Sequence, residues 1–404
     1  MQKGARSSLR TTGRHPPTPA ERSTTRALAT YPGAYLAEEI RGSEGVQRDL
    51  QRQIKLLGTR VPAYGRLLRC ILERISGPAR DTAFHDRLES AWRGRSFEAY
   101  YSRPLLLLAS IRADVLADGP AHPLWAAIGE GDSNPAAVTP EAVMDALSER
   151  RLGVWMSLRT RFVQTNEVSR AITWRLPAAL AGASHGARPV TLVDVGASAG
   201  LNLIADRLDL SWVDQHRRPV PAARLVDAQV RLGIDRSPLD VADPREAAWL
   251  RACVWPGEDV RLSRLEAAIE AFRAALEPRP RLERANIASL RRILGELGEP
   301  QDGGLMIVYQ SLVGGYLSPE ERRDHETTMR SVIGSGPPGR ILWAELEMHG
   351  EPDGRPEPAR LRVYASPTDG AVEAFDLAYT GYHPERLVLD ASAVDALSSI
   401  VGPT

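Results

Sequence analysis

Cysteine is almost missing from this chain. Among 404 residues only Cys70 and Cys253 occur, so there is no disulfide framework and no thiolate cluster for a structural metal. Both sit in apolar surroundings and read as buried core thiols of a protein kept in a reducing compartment, which predicts a cytoplasmic location. Lysine is equally scarce: Lys3 and Lys55 are the only two, and every other basic residue is arginine. GC-rich coding sequence produces such a bias, so the arginines are not read one by one as anion sites. Neither sign of charge is in excess, because Lys plus Arg and Asp plus Glu both number 51. A neutral chain has no global field to draw it to nucleic acid or to an anionic membrane. Long apolar runs are absent as well; the longest, 104–110, is far too short to cross a bilayer. No apolar stretch follows the basic residues near the start, which predicts no secretory signal. No H-x-x-x-H or C-x-x-C spacing points to a metal site.

What remains is ample for a core: 43% of residues are hydrophobic, and the length suits two or three domains. Residues 1–28 are rich in Ser, Thr, Arg and Pro, with Glu21 the only acid. They read as a flexible tail, with an arginine-rich transit peptide as the other reading. Residues 29–185 show helical spacing over 46–57, 64–75, 81–92 and 103–116, and predict a helical domain or lid. Thr139 and Pro140 open a long helical segment that runs to about 181, with a break near Gln164 or Pro177. From 186 to 404 strands and helices alternate, which favours a parallel sheet. Strands are expected at 190–195, 226–234, 281–285, 304–310 and 340–347, with a hairpin over 361–365 and 372–379. Asp243, Ser318 and Asp390 are expected to cap helices.

The sheet region opens on Thr191-Leu-Val-Asp-Val-Gly-Ala-Ser-Ala-Gly-Leu-Asn-Leu203. A β-branched run passes into five positions without a bulky side chain, followed by apolar spacing that suits a helix over 201–210. Three readings are open. Glycines let a backbone approach a ligand, and a helix start offers unpaired N–H groups, as in the loop that holds a nucleoside cofactor. Gly196-Ala-Ser198-Ala-Gly200 also satisfies G-x-S-x-G, the nucleophile elbow of a serine hydrolase. The third reading is a plain tight turn. Asp194 favours the first, since an acid at the carboxyl end of the strand serves a cationic sulfonium or ammonium group. A triad with His325, His349 or His383 stays possible by chain order, although no H-G-G-G run precedes Ser198.

Other polar groups stand out elsewhere along the chain. Gln164, Thr165, Asn166 and Glu167 interrupt apolar helix, either as a substrate-facing patch or as a solvated face or internal cap. Asp235, with Asp240 second, ends the expected second strand, where an acid accepts ribose hydroxyls; capping the next helix is the alternative. Tyr309, Gln310 and Ser311 end a later strand, and Glu345, Glu347 and His349 end the next.

Val163-Gln-Thr-Asn-Glu-Val168, Leu192-Val-Asp-Val-Gly-Ala-Ser-Ala-Gly-Leu-Asn-Leu203, Gly233-Ile-Asp-Arg-Ser-Pro-Leu-Asp240 and Trp249-Leu-Arg-Ala-Cys-Val-Trp-Pro256 together resemble the bacterial DUF2332 family, over about 45–390. The glycine segment is similar to the first motif of class I S-adenosylmethionine-dependent methyltransferases. That resemblance implies an α/β, Rossmann-like class I methyltransferase-type sheet with an N-terminal helical domain. It implies S-adenosylmethionine as cofactor, with Asp194, Gly196, Ser198, Gly200 and Asn202 on its methionine and ribose part, Asp235 on the ribose and Asn286 near the adenine. Methyl transfer to a small molecule is the implied reaction. Glu167, then Glu347 and His349, are the candidate bases, and Gln164, Asn166, Tyr309 and Gln310 the groups that position the acceptor. Tyr309-Gln-Ser311 lacks the acidic or Asn-Pro-Pro signature of many amino-group methyltransferases, which points away from an amine. A binding protein that keeps the pocket without turnover is the non-enzymatic alternative.

Overall fold

The computed structural model describes residues 43–402 apart from Ala79, Ser96, Glu98, Tyr100, Asp369 and 184–187, 226–227, 275–278, 301–302 and 350–355. The tail expected at 1–28 lies outside the described residues.

Helices come first: α1 (Ser43–Arg60), α2 (Pro62–Ile75), α3 (Thr82–Ala91), α4 (Ser102–Asp118), α5 (Trp125–Ile128), α6 (Pro140–Ala146), α7 (Leu152–Thr160) and α8 (Ile172–Leu180). The long helix expected from Pro140 is instead α6, α7, a 3-10 turn and α8. Thr139 does cap its start, accepting from Ala142 N, but 161–167 carries no helix between α7 and a 3-10 turn at Val168–Ala171. The break therefore falls around Gln164, whereas Pro177 sits inside α8. Cys70 is only half-buried; Cys253 is buried as expected.

The sheet strands are β1 (Val190–Val195), β2 (Val213–Asp214), β3 (Ala228–Asp235), β4 (Arg281–Arg284), β5 (Leu305–Ser311), β6 (Ile341–Met348), β7 (Ala359–Ala365), β8 (Glu373–Thr380) and β9 (Arg386–Leu389). They form one mostly parallel sheet in the order β2-β9-β8-β7-β6-β5-β1-β3-β4. Between them lie α9 (Pro244–Cys253), α10 (Asp259–Arg273), α11 (Leu290–Leu297) and α12 (Pro319–Ser335), and α13 (Ala391–Val401) follows β9. Asp243, Ser318 and Asp390 cap α9, α12 and α13, with a complete capping box at Ser318 and Glu321.

Alternation along the strands builds two apolar layers. Leu192, Ile307, Leu342 and Ala344 face one cluster that also takes in Leu67, Leu107, Val154, Trp174 and Leu397. Val193, Val308 and Trp343 face the other, against Ile293 of α11 and Met329 of α12. The first cluster runs from α1 through the sheet to α13, so the helical region and the sheet share one core. The segment after the small-residue turn is a 3-10 helix, Leu201–Arg207, rather than the expected α-helix. Its carbonyls are taken by side chains: Trp174 Nε1 donates to Asn202 O, Arg231 to Leu203 O and Arg175 to Ala205 O. Those bonds compete with the helical ladder.

Candidate functional site

Chain direction sets where a site could be. After β1 the chain first lays β2 at the far edge beside β9, then comes back to place β3 and β4 on one side of β1, and afterwards β5 and β6 on the other. In open α/β sheets ligands bind outside the carboxyl ends of the strands, at such a reversal. Here those ends carry Gly196 to Gly200, Asp235 to Ser237, Arg284 to Asn286, and Gln310 to Gly314.

The turn after β1 has the backbone that its small residues require. Gly196 (φ 79°) and Gly200 (φ 71°) are left-handed, and so is Ser198 (φ 54°), a conformation uncommon for a residue with a Cβ. Gly196 N and Ala197 N both donate to Ile234 O at 2.8 and 3.1 Å, which ties the turn to β3. The bend is nonetheless not open, contrary to the expectation of a bare cradle. A Cβ on Gly196 would lie 2.6 Å from Val313 Cγ2, and one on Gly200 2.8 Å from Leu282 Cδ2. Protein side chains already fill the room that glycine leaves.

Ser198 is equally engaged. Its hydroxyl donates to Gln164 Oε1 (2.9 Å) and accepts from Asn166 Nδ2 (2.5 Å), while its N–H donates to Asp235 Oδ2 (2.8 Å). Asp235 also accepts from Ser237 N, and Gln164 Nε2 donates to Ser237 O. The structure thus brings Gln164 and Asn166, read as acceptor-positioning groups, together with Ser198 and Asp235, read as cofactor groups, and they bond to one another. Among the described residues no histidine bonds Ser198. His325 meets Gln310, His349 meets Glu357 O, and His383 lies 3.5 Å from Glu167, so no serine triad is assembled.

Asp194 and Tyr309 form a second group, paired in register on the face covered by α8. Burial pushes the Asp194 carboxyl up to about 8, and the neighbouring Tyr309 hydroxyl offsets only part of that cost. Asp194 Oδ2 and Tyr309 OH make no well-formed hydrogen bond, and Asn202 Oδ1 is another buried atom without a partner. Burial beside Asp194 also drives the Tyr309 phenol well above its usual value. Tyr309 and Gln310 were expected to position one acceptor together. They point to opposite faces, because successive strand side chains alternate.

On that opposite face Glu347 anchors the segment after β5. It accepts from Gln310 Nε2 (3.0 Å), Val313 N (2.9 Å) and Gly314 N (3.1 Å). Burial holds its carboxyl above the usual range despite these bonds. Gln310 Oε1 meets His325 Nε2 at 2.6 Å, and burial pushes that imidazole down to about 4. Leu312 adopts a left-handed φ of 55°, and Arg236 donates to Tyr316 O. Residues 312–317 thereby lie as a strap that seats Val313 over Gly196.

Glu167 is elsewhere. It is 2% exposed, caps the 3-10 turn through Ser169 N and pairs with Arg261 at 2.9 Å. The space bounded by Gln164, Asn166, Glu167 and Arg261 is about 10 Å³, room for one water rather than a substrate. Of the proposed cofactor residues, Asn286 lines an open hollow of about 480 Å³, with Arg236, Arg284, Ala285, Ser289 and Arg292. Sequence reasoning missed Val313, Leu282 and these arginines. Gly314-Gly315 directly after β5 was the available signal for the strap.

The fold and this edge define a helix-covered protein built on a mostly parallel α/β sheet with its candidate site at a strand-order reversal. More particularly, the chain belongs to the family described as "Uncharacterized protein conserved in bacteria (DUF2332)", whose model matches residues 58–388. No curated protein matches the chain.

Proposed function

We propose that the protein binds a nucleoside-bearing cofactor across the carboxyl ends of β1, β3 and β4, and that S-adenosylmethionine-dependent methyl transfer to a small molecule is its reaction. The observation that carries this reading is the reversal of strand order at β1, with a glycine turn, Asp235 and Asn286 along the same edge. The Rossmann-like methyltransferase likeness belongs to the same proposal. Space is the point of conflict: the turn does not fit the cofactor while Val313 sits over Gly196. Binding there requires residues 312–317 to move aside.

Calorimetry with S-adenosylmethionine and its demethylated product tests the proposal, and no heat of binding from the intact protein overturns it. Val313→Ala is expected to tighten binding at least about threefold, roughly 0.6 kcal/mol or more, because it removes the atoms in the way. Equal affinity for a well-folded variant would show that Val313 does not compete with the ligand.

A non-catalytic binding protein is the second reading. One observation favours it: Glu167 and Glu347, two of the three candidate bases, are both tied into ion pairs or main-chain hydrogen bonds. Binding without any demethylated product, across a panel of acceptors, would support it.

A further inference from the structure

The strap at 312–317 is held by a carboxyl and a guanidinium that meet at one residue. Gly314 N donates to Glu347, half-buried at the end of β6, and Gly314 O accepts from Arg322, exposed near the start of α12. Glu347 also accepts from Val313 N, and Arg322 also donates to Leu317 O. Among the described residues neither side chain forms an ion pair, so each spends its hydrogen bonds on neutral groups. A Cβ on Gly314 would lie 3.0 Å from Glu347 Oε2, so the strap rests directly on the carboxyl. The edge is strained as well. Leu312 and Ser198, just past the ends of the paired strands β5 and β1, are two of the three described non-glycine residues with left-handed φ. Such backbone costs free energy and collects where a segment changes state.

We infer that Gly314 stands in for the α-amino-acid head group of a ligand, which Glu347 and Arg322 take up when the strap lifts. An amino-acid residue within a chain offers an N–H and a C=O on either side of one carbon. A free head group offers an ammonium and a carboxylate in the same arrangement. Charge-assisted hydrogen bonds are roughly twice as strong as neutral ones, so the exchange favours the ligand. Position agrees with this chemistry. In the order β4-β3-β1-β5-β6, Asp235 and Asn286 lie on one side of the glycine turn and Glu347 on the other. From β3 to β6 the sheet spans three strand spacings, roughly 14 Å. A nucleoside at Asp235 therefore needs a tail to arrive at Glu347. The sequence reading gave the cationic group to Asp194, but that carboxyl is 3% exposed beneath α8, whereas Glu347 is covered by the strap. The inference rests on the reading that a nucleoside-bearing cofactor lies along this edge, and it assigns the amino-acid end of that cofactor to the place the strap now fills.

Titration calorimetry of the full chain tests this with S-adenosylmethionine, its demethylated product and methylthioadenosine, a nucleoside with the same sulfur and no amino-acid head. Glu347→Gln and Arg322→Gln, with unchanged circular dichroism spectra, are each expected to weaken the first two at least about tenfold. Both substitutions loosen the strap, so methylthioadenosine should bind each variant as tightly as the wild type or more tightly. Amide exchange at Val313 and Gly314 should rise when S-adenosylmethionine binds. Opposite responses from the two kinds of ligand sustain the inference, because a residue that only anchors the strap moves all three affinities the same way. If the three ligands respond alike, or if the strap amides stay protected with S-adenosylmethionine bound, the inference falls and the nucleoside reading stands. Binding of none of the three overturns both.

Discussion

Asp194 is a carboxyl buried under the sheet's cover, with burial the main force on its titration and the negative charge of Asp235 adding to it. Its folded-state pKa, about 8, lies above the ordinary carboxylate value, so the folded state holds a proton that the unfolded chain releases. Its contribution to stability is complete below about pH 4 and is lost as pH rises through 8. Asp194→Asn keeps the neutral shape and should lose this dependence. Denaturant melts at pH 5 and pH 8.5 are expected to favour the variant over the wild type increasingly at the higher pH. Parallel curves for the two proteins would mean that Asp194 is ionised in the fold. Arg231 and Asp206 present the opposite case, a fully buried pair at 2.8 and 2.9 Å. Asp206→Ala strands the guanidinium and should cost about 3–5 kcal/mol in equilibrium unfolding; a loss under 1 kcal/mol would show that water reaches Arg231. Polarity out of place was legible in the sequence: Gln164, Asn166 and Asp235 do converge on Ser198. What fills the turn was not legible, because Val313 and Leu282 are ordinary apolar residues whose partners only the tertiary fold selects.

Among elements, the strap at 312–317 carries the most specific expectation. Glu347 accepts from two of its N–H groups, and losing that carboxyl acceptor leaves those donors bare. Glu347→Ala should raise amide exchange at Val313 and Gly314 more than tenfold relative to β1, measured by mass spectrometry, a local loss of roughly 1.4 kcal/mol or more. Uniform exchange across both segments would deny the strap its anchor. Capping signals made several helix starts readable, as Asp243, Ser318 and Asp390 show. Apolar spacing misjudged 201–210, where side chains from α8 and β3 capture the carbonyls. Such competition comes from residues distant in sequence and leaves no local trace.

For the molecule as a whole, the continuous apolar layer from α1 through the sheet to α13 predicts that both regions melt together. Scanning calorimetry is expected to give one transition, and a separate early one for the helices would make them a lid with its own stability. The switch from helical to alternating patterns near 186 was visible in the sequence, yet it marks no break in the core. One further consequence concerns the two outermost strands. β2 is two residues long and β4 four, the latter bearing Arg281, Glu283 and Arg284. Short, charged borders give an incoming chain little main chain to zip onto. Self-assembly through ribbon-to-ribbon extension is thereby disfavoured, and a crowded solution of this protein should resist fibril growth by that route.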